Sequence, residues 1–125
     1  MNDMSLLRDY LKSQISKLEG TKVQEVKQKS EILVQHFLSI SKSELYLKDI
    51  PLSKKDIKNL NYFFSELYQN KPIQHIIGET YFYDSKFLTP HGVFIPRPET
   101  ELLVDCAIEF LSNKKERLQI IDFCT

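Results

Sequence analysis

The chain has 125 residues, enough for one globular domain or for a small domain plus part of another. Hydrophobic residues make up 42% and charged residues 27%, too apolar for disorder, and Lys+Arg and Asp+Glu both number 17, so no global charge draws the chain to nucleic acid or anionic lipid. Cys106 and Cys124 form no disulfide framework, no apolar run nears the ~20 residues of a membrane span, and the start lacks a signal-peptide layout, which together predict a soluble, cytoplasmic protein.

The first seventy residues read as helices. Between Asp3 and Leu18, Leu7, Leu11, Ile15 and Leu18 recur at helical steps, with Asn2 or Asp3 as the expected cap and Gly20 as a left-handed stop. From Val23 to Ile40 a stripe of Val26, Leu33, Phe37 and Ile40 predicts a second helix, with Ser30 as a small gap on it. A helical turn over Ser43–Leu47 leads to Ile50-Pro51-Leu52, where proline disfavours helix for the residue before it. Ser53 with Asp56 three residues on resembles a capping box, opening a third long helix with Ile57, Leu60, Phe64, Leu67 and Tyr68 on one face. Short connections between three amphipathic helices predict a small bundle over residues 1–71.

At Pro72 the texture changes, because residues 72–98 hold four of the five prolines and two of the three glycines among many β-formers. Tyr81-Phe82-Tyr83 and Lys86-Phe87-Leu88 around Asp84-Ser85 predict a hairpin, and Val93-Phe94-Ile95 a third extended piece stopped by Pro96. Helical spacing returns from Glu99 to Leu111, with Leu103, Ala107, Phe110 and Leu111 on one side. Leu118–Phe123 then reads as a buried strand, the way an α/β domain begins. Charge follows the same division: twelve basic and nine acidic side chains lie in residues 1–71, five and eight in residues 72–125. So weak an asymmetry fits solvated helix faces better than a phosphate-binding surface.

Few residues point to chemistry on their own. His36, His75 and His91 lie far apart with no Cys or carboxylate at ligand spacing, so no metal site is assigned, and His36 reads as a helix-packing residue. No nucleophile elbow or glycine-rich phosphate loop is present. The segment Gly92-Val93-Phe94-Ile95-Pro96-Arg97-Pro98-Glu99-Thr100-Glu101 stands apart, because two prolines hold Arg97 extended and so present it at low entropic cost. On local chemistry alone, a rigid linker leading into a well-charged helix start accounts for it better than a binding role.

Four blocks occur in the order seen in one family: Pro72-Ile73-Gln74-His75-Ile76-Ile77-Gly78, Phe82-Tyr83, Phe94-Ile95-Pro96-Arg97-Pro98-Glu99-Thr100-Glu101, and Ile120-Ile121-Asp122-Phe123-Cys124-Thr125. The chain resembles the HemK/PrmC family of protein-glutamine methyltransferases, which modify peptide chain release factors. The helical part matches in pattern only, and His75 stands where members often carry Tyr, a position that looks structural. The resemblance implies an N-terminal α-helical bundle (1–71) that recognises the release factor. A β-hairpin linker (72–98) and the start, helix plus strand, of a Rossmann-like α/β methyltransferase domain (99–125) follow.

Within that family the strand matching Gln119–Phe123 runs into the loop that cradles S-adenosyl-L-methionine, which makes Cys124 and Thr125 the implied cofactor contacts. The Asn-Pro-Pro-Tyr motif that grips the substrate amide is not in these 125 residues. No catalytic residue is therefore assigned, and the chain is expected to be the N-terminal part of the enzyme, inactive by itself. An amide nitrogen is a poor nucleophile, so transfer depends on holding it in line with the methyl group. The resemblance makes Phe94 the apolar wall of the glutamine pocket. It places Arg97 and Thr100 beside that pocket or as braces of its loops. Two other readings stand beside this one: a stand-alone helical protein-binding module, and a fragment of a nucleic-acid adenine methyltransferase. Zero net charge and the Ile-Pro-Arg-Pro-Glu-Thr-Glu segment argue against the last, and no sequence-specific nucleic-acid contact is expected.

Overall fold

Apolar side chains at helical steps fold the first seventy residues into helices α1 (Leu7–Leu18), α2 (Val26–Leu38), α3 (Lys42–Leu47) and α4 (Lys54–Tyr68). The computed structural model describes residues 6–123, so the caps expected at Asn2 or Asp3 lie outside the described residues. The core joins Leu7, Leu11 and Leu18 of α1 to Leu33 and Val34 of α2 and to Leu60, Phe64 and Leu67 of α4. Ser30 sits fully buried on the α2 stripe, where its small side chain lets neighbours approach. Tyr10 of α1 donates its hydroxyl to the Asn61 side chain of α4 at 2.8 Å. Burial, the largest influence, pushes the Tyr10 hydroxyl up to about 12.

The helix ends follow local chemistry. Ser53 caps α4 in a full capping box with Asp56, as its spacing predicts, and Ser41 with Glu44 makes a second one at α3. Gly20 does not take the left-handed conformation expected of it. Helix α1 instead closes through Thr21, whose N–H and hydroxyl both donate to the Leu18 carbonyl. Left-handed residues end α2 at Ser39 (φ 53°) and follow α4 at Asn70 (φ 58°), each with backbone bonds returning to the last turn.

Beyond Pro72 the chain makes a short helix, α5 (Ile73–Ile77), where extended structure was expected. Ile73 and Ile76 are buried in the bundle core, so apolar packing holds helical a segment too short to be stable alone. Gly78 (φ 84°) then turns the chain into an antiparallel hairpin, β1 (Glu79–Phe82) and β2 (Ser85–Leu88), with Glu79 opposite Leu88 and Phe82 opposite Ser85. The turn is Tyr83-Asp84, one residue earlier than predicted. Both residues have positive φ (49° and 59°), the twist that a two-residue hairpin loop needs.

Val93-Phe94-Ile95 does not form the extended piece expected of it: Val93 lies in a bend closed onto Pro90, and Phe94 and Ile95 belong to no strand, while helix α6 (Glu99–Ser112) follows as the spacing predicts. Residues 118–123 do not form the buried strand expected of them. Ile120, Ile121 and Phe123 are exposed, because no described segment offers a ladder to pair with. Among the described residues no helix is long and apolar enough to cross a membrane.

Phe64, 1% exposed at the centre of the core, is the side chain whose loss should cost most. Phe64→Ala should lower stability by roughly 3–5 kcal/mol in chemical denaturation, against about 0.5 kcal/mol or less for exposed Leu47→Ala. The capping boxes predict a pH effect. Hydrogen bonds from Lys48 and Ser41 hold the Glu44 carboxyl at about 2, and those from Ser53 lower Asp56. A carboxyl lowered on folding stabilises above its ordinary value, near 4, and that contribution is lost as pH falls towards 2. Melting temperature should therefore drop over this window. Ser53→Ala should cost about 1 kcal/mol at neutral pH and make the drop shallower.

Candidate functional site

The proline-bounded segment shapes an open cleft outside the bundle core. A β-turn places Gly92 at its third position with φ 87°, closed by the Val93 N–H donating to the Pro90 carbonyl at 3.1 Å. From there Phe94, Ile95, Pro96 and Arg97 run along one wall of an open cleft of about 630 Å³, and Gln74 and His75 of α5 form the other. Phe94 is 79% exposed, so its ring is presented to solvent and not committed to packing. Arg97 is exposed and makes no ion pair among the described residues.

The structure thus brings Phe94 and Arg97 to one cleft and leaves Thr100 outside its lining. Thr100 sits in the first turn of α6, its N–H donating to the Arg97 carbonyl at 3.0 Å, a bond that joins the helix start to the cleft wall. Cys124 and Thr125 lie outside the described residues. The three glycines, Gly20, Gly78 and Gly92, are scattered and build no glycine-rich loop. The described residues therefore offer no cradle for a nucleoside cofactor, and no group of three or more potential metal ligands occurs among them.

What fixes the cleft is a set of contacts that spacing did not reveal. Thr89, 1% exposed, ends the hairpin beside α5. Its N–H donates to the Gly78 carbonyl (2.8 Å) and its hydroxyl to the Gln74 carbonyl (2.8 Å). Its own carbonyl lies 3.1 Å from Nδ1 of His75, which donates there as the Nδ1–H tautomer or the imidazolium. At the other end the hairpin tip meets α6: the Tyr83 N–H donates to Glu101 (2.9 Å) and the Tyr83 hydroxyl to Asp105 (2.6 Å). The Asp105 carboxylate, by accepting that bond, pushes the Tyr83 hydroxyl up from its ordinary value. Glu79 at the hairpin base takes Lys86 at 2.7 Å and lies 4.0 Å from His36 of α2, so His36 faces the hairpin as well as packing edge-on to Phe37.

A helical bundle clasped to a hairpin, with an exposed aromatic and an arginine on a proline-stiffened wall of an open cleft beside it, is the arrangement that these residues build. The PrmC N-terminal domain family matches residues 9–78, which include α5 and end at Gly78. The chain belongs to that family. It is 35% identical over 105 residues to the release factor glutamine methyltransferase of Chlorobaculum tepidum, covering 83% of this chain and 36% of that protein. It is 36% identical over 96 residues to the enzyme of the same name from Thermodesulfovibrio yellowstonii, covering 74% and 34%. The one from Mycoplasma mycoides subsp. mycoides is 39% identical over 77 residues, covering 62% and 27%. The chain thus spans about a third of the length of the curated relatives it matches.

If Thr89 sets the cleft wall, Thr89→Val removes the second of the two hydrogen bonds that the Gln74 carbonyl accepts, the other coming from the Gly78 N–H, while keeping the shape of the side chain. Loss of about 1–2 kcal/mol is expected by denaturation, with Thr89→Ser recovering most of it. Amide shifts of Val93–Arg97 in a two-dimensional NMR spectrum should move with Val and return with Ser. Unmoved shifts would detach Thr89 from the cleft.

Proposed function

We propose that this chain forms the release-factor-recognition part and the substrate side of a protein-glutamine methyltransferase. In this reading residues 99–123 open its Rossmann-like methyltransferase domain. The observation that carries the reading is the exposed Phe94 ring beside Arg97 on a proline-stiffened wall, in a chain whose relatives are named release factor glutamine methyltransferases. The substrate is the side-chain amide of a glutamine in a peptide chain release factor, which places the work in the cytoplasm. The co-substrate, S-adenosyl-L-methionine, supplies an electrophilic methyl group when bound. Cys124 and Thr125 are the residues of this chain assigned to touch it.

The contribution of the described residues is positional. The lone pair of the amide nitrogen is delocalised into its carbonyl, so attack is slow unless the nitrogen is held in line and water is kept from it. Phe94 covers the apolar stem of the glutamine side chain and blocks one approach of solvent. Arg97 lies three residues along the same wall, where its guanidinium donates to carbonyl oxygens of the bound substrate backbone. Thr100 ties the first turn of α6 to Arg97 and so braces the wall without touching substrate.

The test is Phe94→Ala in the enzyme carrying these residues, with a release factor as substrate. Misplacement of an amide by about 1 Å costs on the order of a hundredfold in rate, so the methylation rate should collapse by about that factor. Melting temperature and cofactor affinity should stay near the parent values, as a ring that lines an open pocket requires. A lower melting temperature with an unchanged rate would assign Phe94 to packing, and an inactive parent enzyme would sink the reading itself.

A further inference from the structure

A second cleft, of about 440 Å³, lies between α1, α2 and α3 and shares no residue with the one beside Phe94. Its floor is apolar, made by Leu11 and Ile15 one turn apart on α1 and by Leu45 of α3. Its rim is basic: Arg8 and Lys12 stand on the same side of α1, and Lys27 faces them from α2. Among the described residues Lys12 and Lys27 pair with no carboxylate, and Arg8 reaches Asp49 only at 3.5 Å. The one acid in the lining, Glu31, is buried and accepts the Tyr46 hydroxyl. Past Tyr46 the depression continues into a cleft edged by Glu19, Glu25 and Lys42, which shares Lys27, Glu31 and Tyr46 with the first. The two clefts adjoin at those three residues, the first a trough with an apolar floor and a cationic rim and the second more acidic.

We infer that this trough docks an extended acidic segment of a protein partner, with one apolar side chain seated on Leu11, Ile15 and Leu45 and its flanking carboxylates held by Arg8, Lys12 and Lys27. The inference rests on the function proposed above, in which that partner is the release factor. Charge complementarity decides the occupant. Single lysines on a helix are ordinary, but three cations around an apolar floor match a ligand that is anionic and apolar at once.

The experiment titrates a release factor into the protein by calorimetry, with two charge-matched double variants. Lys12→Glu with Lys27→Glu reverses the rim, and Lys55→Glu with Lys58→Glu makes the same charge change on the exposed face of α4. The rim variant should bind about tenfold more weakly and lose most of the salt dependence, whereas the α4 variant should stay within about twofold of the parent. Equal binding by all three, or equal weakening in both variants, overturns the trough and leaves the proposed function standing. Should the parent itself fail to bind the release factor, that function falls, and a second probe decides the trough alone. The acetylated peptide Asp-Glu-Leu-Glu-Asp should then shift the NMR signals of Leu11, Ile15 and Leu45, and its lysine counterpart should not. Absence of those shifts overturns the inference. So does sedimentation showing a dimer that the rim variant dissolves, since the occupant is then a second copy of this chain.

Discussion

Thr89 carries the arrangement between bundle and cleft. A five-residue helix leaves most of its terminal carbonyls without an intrahelical partner, and α5 ends at Gly78 with its last turn facing the hairpin. Thr89 comes back along β2, satisfies the Gly78 carbonyl with its N–H and adds its hydroxyl to the Gln74 carbonyl that already accepts the Gly78 N–H, while its own carbonyl is taken by His75. Thr89 itself is buried, and for a buried group a missing partner costs ~1–3 kcal/mol although a made bond gains only about one. That asymmetry makes the junction specific. The chain leaving Thr89 has one direction, and Pro90, Gly92 and the Pro96-Arg97-Pro98 run carry it along the cleft.

The hairpin is held at both ends by different forces. Its base is attached to the bundle by buried hydrogen bonds, and its tip to α6 by exposed acids that accept from Tyr83. A tyrosine at positive φ is strained by roughly 1–2 kcal/mol, and the bonds to Glu101 and Asp105 offset that strain only while α6 is in place. The turn geometry and the position of α6 therefore depend on each other. Through this coupling α5, on one wall of the cleft, senses the start of α6, next to the other.

Much of the fold is legible in the order of residues because it rests on periodicity. The stripes of α1, α2 and α4 and the Ser53–Asp56 box announce themselves, since each is a local pattern repeated over several turns. Three features escape for physical reasons. Helix α5 is a single turn whose apolar residues read equally well as strand, and only contact with the bundle decides it. The Tyr83-Asp84 turn lacks the glycine that marks such turns, its positive φ values being supported from α6 some twenty residues away. Gly20 looked like a stop, yet Thr21 supplied one with its own hydroxyl. In the cleft, Phe94 and Arg97 were readable from one stiff segment. Gln74 and His75 were not, because Thr89 brings them there and nothing in its neighbourhood marks it as a junction.

The two competing accounts of the proline-bounded segment differ in what they require of Phe94. A linker that only had to be stiff would need Pro96 and Pro98, and a helix start that only had to be well charged would need Glu99 and Glu101. Neither requires a large aromatic at 79% exposure two residues before the first proline. Exposed in this way, the ring forgoes the ~1.5–3 kcal/mol that burying a phenylalanine side chain contributes, so the folded chain derives little stability from it. In the function proposed above, a group that stabilises its own domain so little, on a wall held by Thr89 at one end and by α6 at the other, buries its surface against the arriving glutamine side chain. The stiffness of the wall then has an energetic meaning: the ordering cost is met during folding, and an arriving side chain finds its apolar contact already in place.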